Sequence, residues 1–289
     1  MSRQKLTIIV TCTDRKSATP IPELMARNLR AGQVGQRAQT WREALSSNQP
    51  TTPLLDLYRG ESWSQVKLLI ATAREVGYQP EVLVASAGLG LRSVHDMASA
   101  YAATFSGGHE DTVGSSTKEA QEWWDALPHT ATGRRSRSMW VLSENYSRVI
   151  ATDLTNRFGS GELIVFGGSK EVPSDARIAS DRSLRRALGG TATSLNVRMA
   201  IQWLRLSRDV GAFSPHAKSS WLGWTDCERH REVYNRRQLT DDAVLDFVTA
   251  LQTQAPGVSK TSALKSLRDA GLACEQGRFS RLFQKVAVS

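Results

Sequence analysis

Cysteine is scarce in this chain. Cys12, Cys227 and Cys274 are odd in number and far apart, which excludes a disulfide framework and any cysteine-based metal spacing. A reducing compartment follows. The five histidines, His95, His109, His129, His216 and His230, are dispersed, with no HxH or HExxH pairing, so no metal is expected. No apolar run approaches the length of a membrane span. The opening MSRQKLTIIV runs straight into a strand without the pattern of a secretory signal. The expectation is a cytoplasmic protein with no membrane partner. The Walker pattern GxxxxGK[ST] is missing, and Gly88 and Gly90 alone fall short of GxGxxG. Neither a nucleotide triphosphate nor a dinucleotide site is expected, and no cofactor. Ser86 is not in a GxSxG elbow, because Val84 stands where the first glycine would be, which argues against a serine hydrolase.

What is plentiful is positive charge. Lys and Arg number 37 against 28 Asp and Glu, a net charge of +9 with a pI of about 9.8. Such a balance favours a polyanionic partner, and nucleic acid is the usual one. Arginine clusters at Arg134-Arg135-Ser136-Arg137 and at Arg177, Arg182, Arg185 and Arg186. With Lys170 these are candidate grips on a DNA backbone, where each neutralised phosphate releases counterions; the alternative is a solvated charged face. At 40% apolar residues over 289 positions the chain can bury a substantial core. No long exposed apolar stripe calls for an obligate protein partner.

Four short apolar runs each end in a polar or glycine-rich turn. Leu6–Val10 leads into Thr11-Cys12-Thr13-Asp14-Arg15-Lys16, and Val82–Ala85 into Ser86-Ala87-Gly88-Leu89-Gly90. Met139–Leu142 leads into Ser143-Glu144-Asn145, and Leu163–Phe166 into Gly167-Gly168-Ser169-Lys170. Runs of strand length without alternation suit parallel strands buried on both faces. The expected fold is therefore α/β, a small parallel sheet of about four strands flanked by helices. In open sheets of this kind ligands bind where the strands end, so the turns are the candidate site. Asp14 can orient a water or stabilise a developing cation; its bland alternative is a capping carboxylate. Free N–H groups in the Ser86–Gly90 turn can meet a phosphate or a base edge. Tyr101 can stack on a base or simply pack. Cys12 reads better as a buried thiol than as a nucleophile. Gly167, Ser169 and Lys170 can contact a phosphodiester or form an ordinary turn.

Between the strands, Glu61–Val76 is a clear helix with Trp63, Val66, Ile70 and Ala73 on one face, with Pro80 as its stop. Short helices are expected near Ile21–Asn28 and Trp41–Ser46, and longer ones over Tyr146–Phe158 and Asn196–Leu206, the last capped by Ser194. Residues 106–138 read as a mobile loop and 209–240 as irregular. The chain divides into residues 1–240 and a helical module over 241–289. In that module Asp241–Leu251, Lys260–Ala270 and Glu275–Val286 resemble a helix-turn-helix unit. From Gly257 onward it carries six Lys/Arg against two Asp/Glu. It is a candidate DNA-binding module, or a helical cap on the core.

One combination carries more. Cys12 to Lys16 after the first strand, Leu57-Tyr58 before a helix, and Ser86-Ala87…Gly90-Leu91 followed by Tyr101 resemble the uracil-DNA-glycosylase-like superfamily. So does the ending Ala273-Cys274-Glu275-Gln276-Gly277-Arg278-Phe279. The resemblance implies a base pocket at the strand C-termini and metal-independent hydrolysis of an N-glycosidic bond. It places Asp14 as the catalytic polar residue and Tyr101 or Tyr58 as the aromatic beside the base, with Cys12, Thr13, Arg15, Lys16, Ser86, Ala87, Gly88, Gly90, Gly167 and Ser169 lining the site. Antiphage glycosylases of this kind imply glucosylated 5-hydroxymethylcytosine in phage DNA as substrate and an abasic site as product. The histidine such enzymes carry after the last strand is replaced here by Gly167-Gly168-Ser169, which tells against plain uracil excision. Two other readings stand beside it: a non-catalytic DNA-binding regulator or modified-DNA sensor, and a deazapurine-linked base-exchange enzyme.

Overall fold

The computed structural model describes residues 4–130, 137–158, 162–230 and 236–287. All four apolar runs are strands of one sheet: β1 (Gln4–Thr11), β2 (Tyr78–Ser86), β4 (Ser138–Leu142) and β5 (Leu163–Gly167). The sheet has six strands rather than four, because β3 (Gly90–Ser93) and β6 (Arg177–Ile178) extend its edges. β3 is Gly-Leu-Arg-Ser and β6 is two residues long, so neither has an apolar run to announce it. The order is β3-β2-β1-β4-β5-β6. Every pairing is parallel except β2 with β3. The chain crosses from β1 to β2 on one side and later returns to lay β4 on the other. That reversal falls between β1 and β4, and the carboxyl ends of the strands at such a point are the usual ligand position in sheets of this kind.

Helices cover the strands, as a sheet buried on both faces requires. α1 (Val34–Ser47) buries Val34, Ala38 and Trp41; α2 (Glu61–Glu75) buries the predicted face of Trp63, Val66, Ile70 and Ala73. Pro80 does not stop that helix: it lies inside β2 opposite Leu6. Around Ile21–Asn28 there are only two 3-10 turns. Of the loop expected over 106–138, residues 131–136 lie outside the described residues, and 106–130 are not loose. α3 (Thr117–Asp125) is capped by Ser116 and drives Trp123 and Trp124 into the core. Those two indoles outweigh the glycine and serine that surround them.

After β4 come α4 (Glu144–Val149) and α5 (Ala151–Phe158). α6 (Leu195–Leu206) follows β6; Ser194 precedes it but makes no side-chain cap, its hydroxyl donating instead to Thr191 O. Within 209–240 the structure holds a further helix, α7 (Pro215–Glu228), started by Ser214 and anchored by Trp221.

The chain separates into two compact units, residues 1–230 and 231–289. The second begins earlier than the helices imply, because Leu239 belongs to its core and Arg237–Gln238 pairs with Leu272–Ala273. Its helices are α8 (Asp241–Gln254), α9 (Lys260–Asp269) and α10 (Gln276–Ala287). Val244, Val248, Leu267 and Phe279 form a core of its own. Thr240 and Ser259 cap α8 and α9. Among the described residues no helix is long and apolar enough to cross a membrane.

Candidate active site at the strand ends

The turn after β1 is clamped by a neighbouring segment. Thr13 Oγ1 donates to the carbonyls of Arg15 and Arg59, at 3.2 and 3.1 Å. Arg59 N donates back to Arg15 O at 2.9 Å, and Ser17 N to Leu57 O at 2.7 Å. Lys16 bridges Tyr58 in an antiparallel contact. The main chain is thus occupied, and the side chains are left over. Asp14 and Arg15 are exposed, while Lys16 is half-buried. The Lys16 ammonium rests over the Tyr101 ring, 4.5 Å from its centroid.

Beneath Lys16 runs a buried hydroxyl chain. Ser86 Oγ accepts from Gly88 N at 3.2 Å and Leu89 N at 3.1 Å. With both lone pairs used, its proton goes to the Tyr101 hydroxyl, 2.5 Å away. Tyr101 then meets the Tyr58 hydroxyl at 2.6 Å. On the other side of β1, Cys12 Sγ lies 3.1 Å from the Tyr146 hydroxyl on α4. Burial pushes all three tyrosine hydroxyls well above their ordinary range, so they act as neutral hydrogen-bonding groups. Burial also lowers the Lys16 ammonium, against the raising influence of Cys12, Asp14 and Asp111.

Cys12, Lys16, Tyr58, Ser86 and Tyr101 therefore form one contiguous cluster, although they come from three separate stretches of sequence. Their roles differ from expectation. Tyr58 and Tyr101 are fully buried, and Lys16 covers a face of Tyr101, so neither ring is a stacking platform for a base. They are the floor on which Lys16 sits. The Ser86–Gly90 turn offers no free amides at Gly88 and Leu89. Trp41 Nε1 and Trp123 Nε1 donate to Gly88 O and Ala87 O, each at 2.7 Å, and Gly90 pairs with Ser86. A Cβ on Gly88 would stand 2.4 Å from the Tyr101 ring, so glycine is required there by packing rather than by a ligand.

The turn after β5 is closed in the same way. Ser169 is buried, its N–H donating to Ser147 Oγ at 2.9 Å. Arg177 donates to Gly167 O and Gly168 O at 2.9 and 3.1 Å, which makes it a brace of this turn rather than a grip on DNA. Gly167 has φ +83, and a Cβ there would meet Asn196 Nδ2 at 2.1 Å. Gly167 and Ser169 are thus not surfaces for a phosphodiester, whereas Lys170 is exposed. Arg182 and Arg186 are exposed and Arg185 half-buried. Arg134 and Arg135 lie outside the described residues. Arg137 precedes β4, at the sheet end opposite the site, and pairs with Glu162 and Gln4.

Three neighbours had no signal in the sequence. Tyr146 follows β4 in an ordinary helix start. Arg27 and the buried Asp111 join across 84 positions; Asp111 accepts from Arg27 N, Nε and Nη2 at 3.2, 2.9 and 2.5 Å. A cavity of about 530 Å³, lined in part by Arg42, Leu89, Arg92, Met97 and Pro128, touches the Ser86–Gly90 turn only at Leu89 and includes none of Cys12, Asp14, Lys16, Tyr58, Ser86 and Tyr101. Among the described residues no group of His, Cys, Asp and Glu could hold a metal ion. The chain matches no family model, no curated protein and no solved structure.

Proposed function

We propose that this protein is a DNA glycosylase that removes a modified base, with glucosylated 5-hydroxymethylcytosine of phage DNA as the best candidate. One observation carries the reading: Cys12, Lys16, Tyr58, Ser86 and Tyr101, the residues on which the resemblance rests, converge at the carboxyl end of β1, where the strand order reverses. Glycosidic cleavage leaves positive charge on the sugar. Asp14, exposed at the lip of that cluster, is free to stabilise it or to activate water. A flipped nucleotide reaches such a lip at a cost of a few kcal/mol of unstacking. Arg15, Lys170, Arg182 and Arg186, all exposed, supply the positive surface for its phosphates.

Purified wild type and Asp14→Ala are incubated with phage DNA carrying glucosylated 5-hydroxymethylcytosine and with unmodified DNA. Mild alkali converts abasic sites to breaks, and mass spectrometry detects free base. Modified base released by wild type alone supports the reading; intact modified DNA with wild type overturns it. A second reading, DNA binding without chemistry, is favoured by the second unit, whose last helix presents Arg281 and Lys285 to solvent. It predicts salt-sensitive binding that Asp14→Ala leaves unchanged.

A further inference from the structure

Lys16 is a cation that the strand-end cluster holds on a prepared surface. Its backbone is fixed by the bridge to Tyr58, and its ammonium by the face of Tyr101 at 4.5 Å. Among the described residues no carboxylate lies within ion-pair distance of it. Asp111, the nearby buried carboxylate, is taken by Arg27. A lysine whose stem is oriented but whose charge is not neutralised by a partner is unusual as a purely structural residue, because burial without pairing is costly. It is the arrangement that favours an amine nucleophile.

We propose that Lys16 attacks C1′ of the deoxyribose and carries the sugar as an imine, so that the protein cuts the DNA strand as well as releasing the base. The proposal deepens the glycosylase reading and rests on it. The Lys16 nitrogen forms a bond to C1′ as the N-glycosidic bond breaks. The bonding pair leaves with the base, which takes up a proton, and the amine gives its proton to the Asp14 carboxylate or to water. The C1′–O4′ bond then opens, O4′ is protonated, and C1′=N remains. Loss of a proton from C2′ expels the 3′ phosphate with the C3′–O3′ pair. Water hydrolyses the imine and frees Lys16. At an existing abasic site the aldehyde and the amine condense to the same imine with loss of one water.

The amine reacts only when neutral. Burial lowers its pKa, while Cys12, Asp14 and Asp111 act to raise it, Arg27 offsets Asp111, and the protonated Tyr58 and Tyr101 add no charge. The rate of imine formation therefore rises with pH, with a midpoint below the 10.5 of an ordinary lysine.

The full chain is mixed with a synthetic duplex bearing one abasic site, in cyanoborohydride, which reduces an imine to a stable adduct. Wild type is expected to give a covalent complex whose peptide map places the sugar on Lys16. Lys16→Arg, which keeps the charge but forms no such imine, should lose it at least tenfold. Lys5→Gln, altered at the far end of β1, should retain it. Absence of a complex with wild type, attachment at another lysine, or an undiminished complex with Lys16→Arg overturns the proposal. Base release from glucosylated DNA is read separately on the same preparations. Release without an adduct leaves a glycosylase that uses water alone; an adduct on Lys16 without release keeps the lyase step and removes the glycosylase reading.

Discussion

The turns after β1 and β2 lie side by side on paired strands, and they do opposite work. In the Ser86–Gly90 turn the polar groups are spent inside the protein: two amides on the serine hydroxyl, two carbonyls on indoles, and the hydroxyl itself on Tyr101. In the Cys12–Lys16 turn a neighbouring segment takes up the main chain, and the charged side chains remain over. A glycine-rich turn invites a ligand on paper, because its amides look free. Here the glycine exists so that an aromatic ring can lie against the backbone, and that ring then seats the lysine of the adjacent turn. The closed turn is the foundation, and the open one keeps its charged side chains uncommitted.

If that division is right, substitutions in the closed turn should act on stability. The largest effect is expected for Gly88→Ala, whose methyl would meet the Tyr101 ring at 2.4 Å with Trp41 behind it at 3.2 Å. Overpacking of this kind costs about 3 kcal/mol and can prevent folding. Urea unfolding measures it; a loss below about 1 kcal/mol would show that Tyr101 can move aside. Ser86→Ala comes next. It removes the acceptor of two amides and a partner of Tyr101, leaving buried polar groups unpaired at about 2 kcal/mol. A double-mutant cycle with Tyr101→Phe should give a smaller loss than the sum of the two. Additive losses would mean that the hydroxyl chain is not a unit.

Lys16 tests the boundary between the two turns. Its folded-state pKa is depressed, so the folded protein binds that proton less readily than the unfolded chain does. Below the folded pKa both states are charged and the folded state bears the burial cost. That cost is relieved as pH rises from the folded pKa towards 10.5, and stability rises with it. Lys16→Met at neutral pH should therefore stabilise the protein slightly, by about 1 kcal/mol or less given solvent screening. A destabilised Lys16→Met would mean that the contact with Tyr101 outweighs the burial.

The four central strands were legible because three are uninterrupted apolar runs and the first, Leu6–Val10, is broken only by Thr7, and such runs have few other uses in a chain whose sequence has no membrane-length apolar run. The helix at Glu61–Glu75 was legible from its spacing. The edge strands were not, because Gly90–Ser93 and Arg177–Ile178 carry no pattern of their own and exist only by pairing with β2 and β5. Residues 106–130 misled for a related reason: local composition favours a loop, but Trp123 and Trp124 supply tertiary anchoring that no window of sequence expresses. At the site, the residues that converge were named from the sequence, yet their roles were not. Whether a tyrosine stacks on a ligand or bears on a buried serine depends on what covers it, and Lys16 and Trp41 come from distant segments.

The smallest effect on stability is expected for Asp14→Ala, and the comparison of the two turns depends on it most. Asp14 is exposed, and the turn around it is held by Thr13, Arg15, Ser17 and the 57–59 segment rather than by its own carboxylate. Removing the carboxylate should shift unfolding by no more than about 0.5 kcal/mol, as for other surface positions away from caps and buried pairs. Release of modified base should nonetheless fall by about 10² or more, the usual contribution of a positioned acid or base. A variant as stable as wild type and inactive would assign Asp14 to chemistry and leave the fold to the residues beneath it. Were Asp14→Ala destabilised as much as Ser86→Ala, the carboxylate would be a brace of its own turn, and the open turn would be structural in the same sense as the closed one.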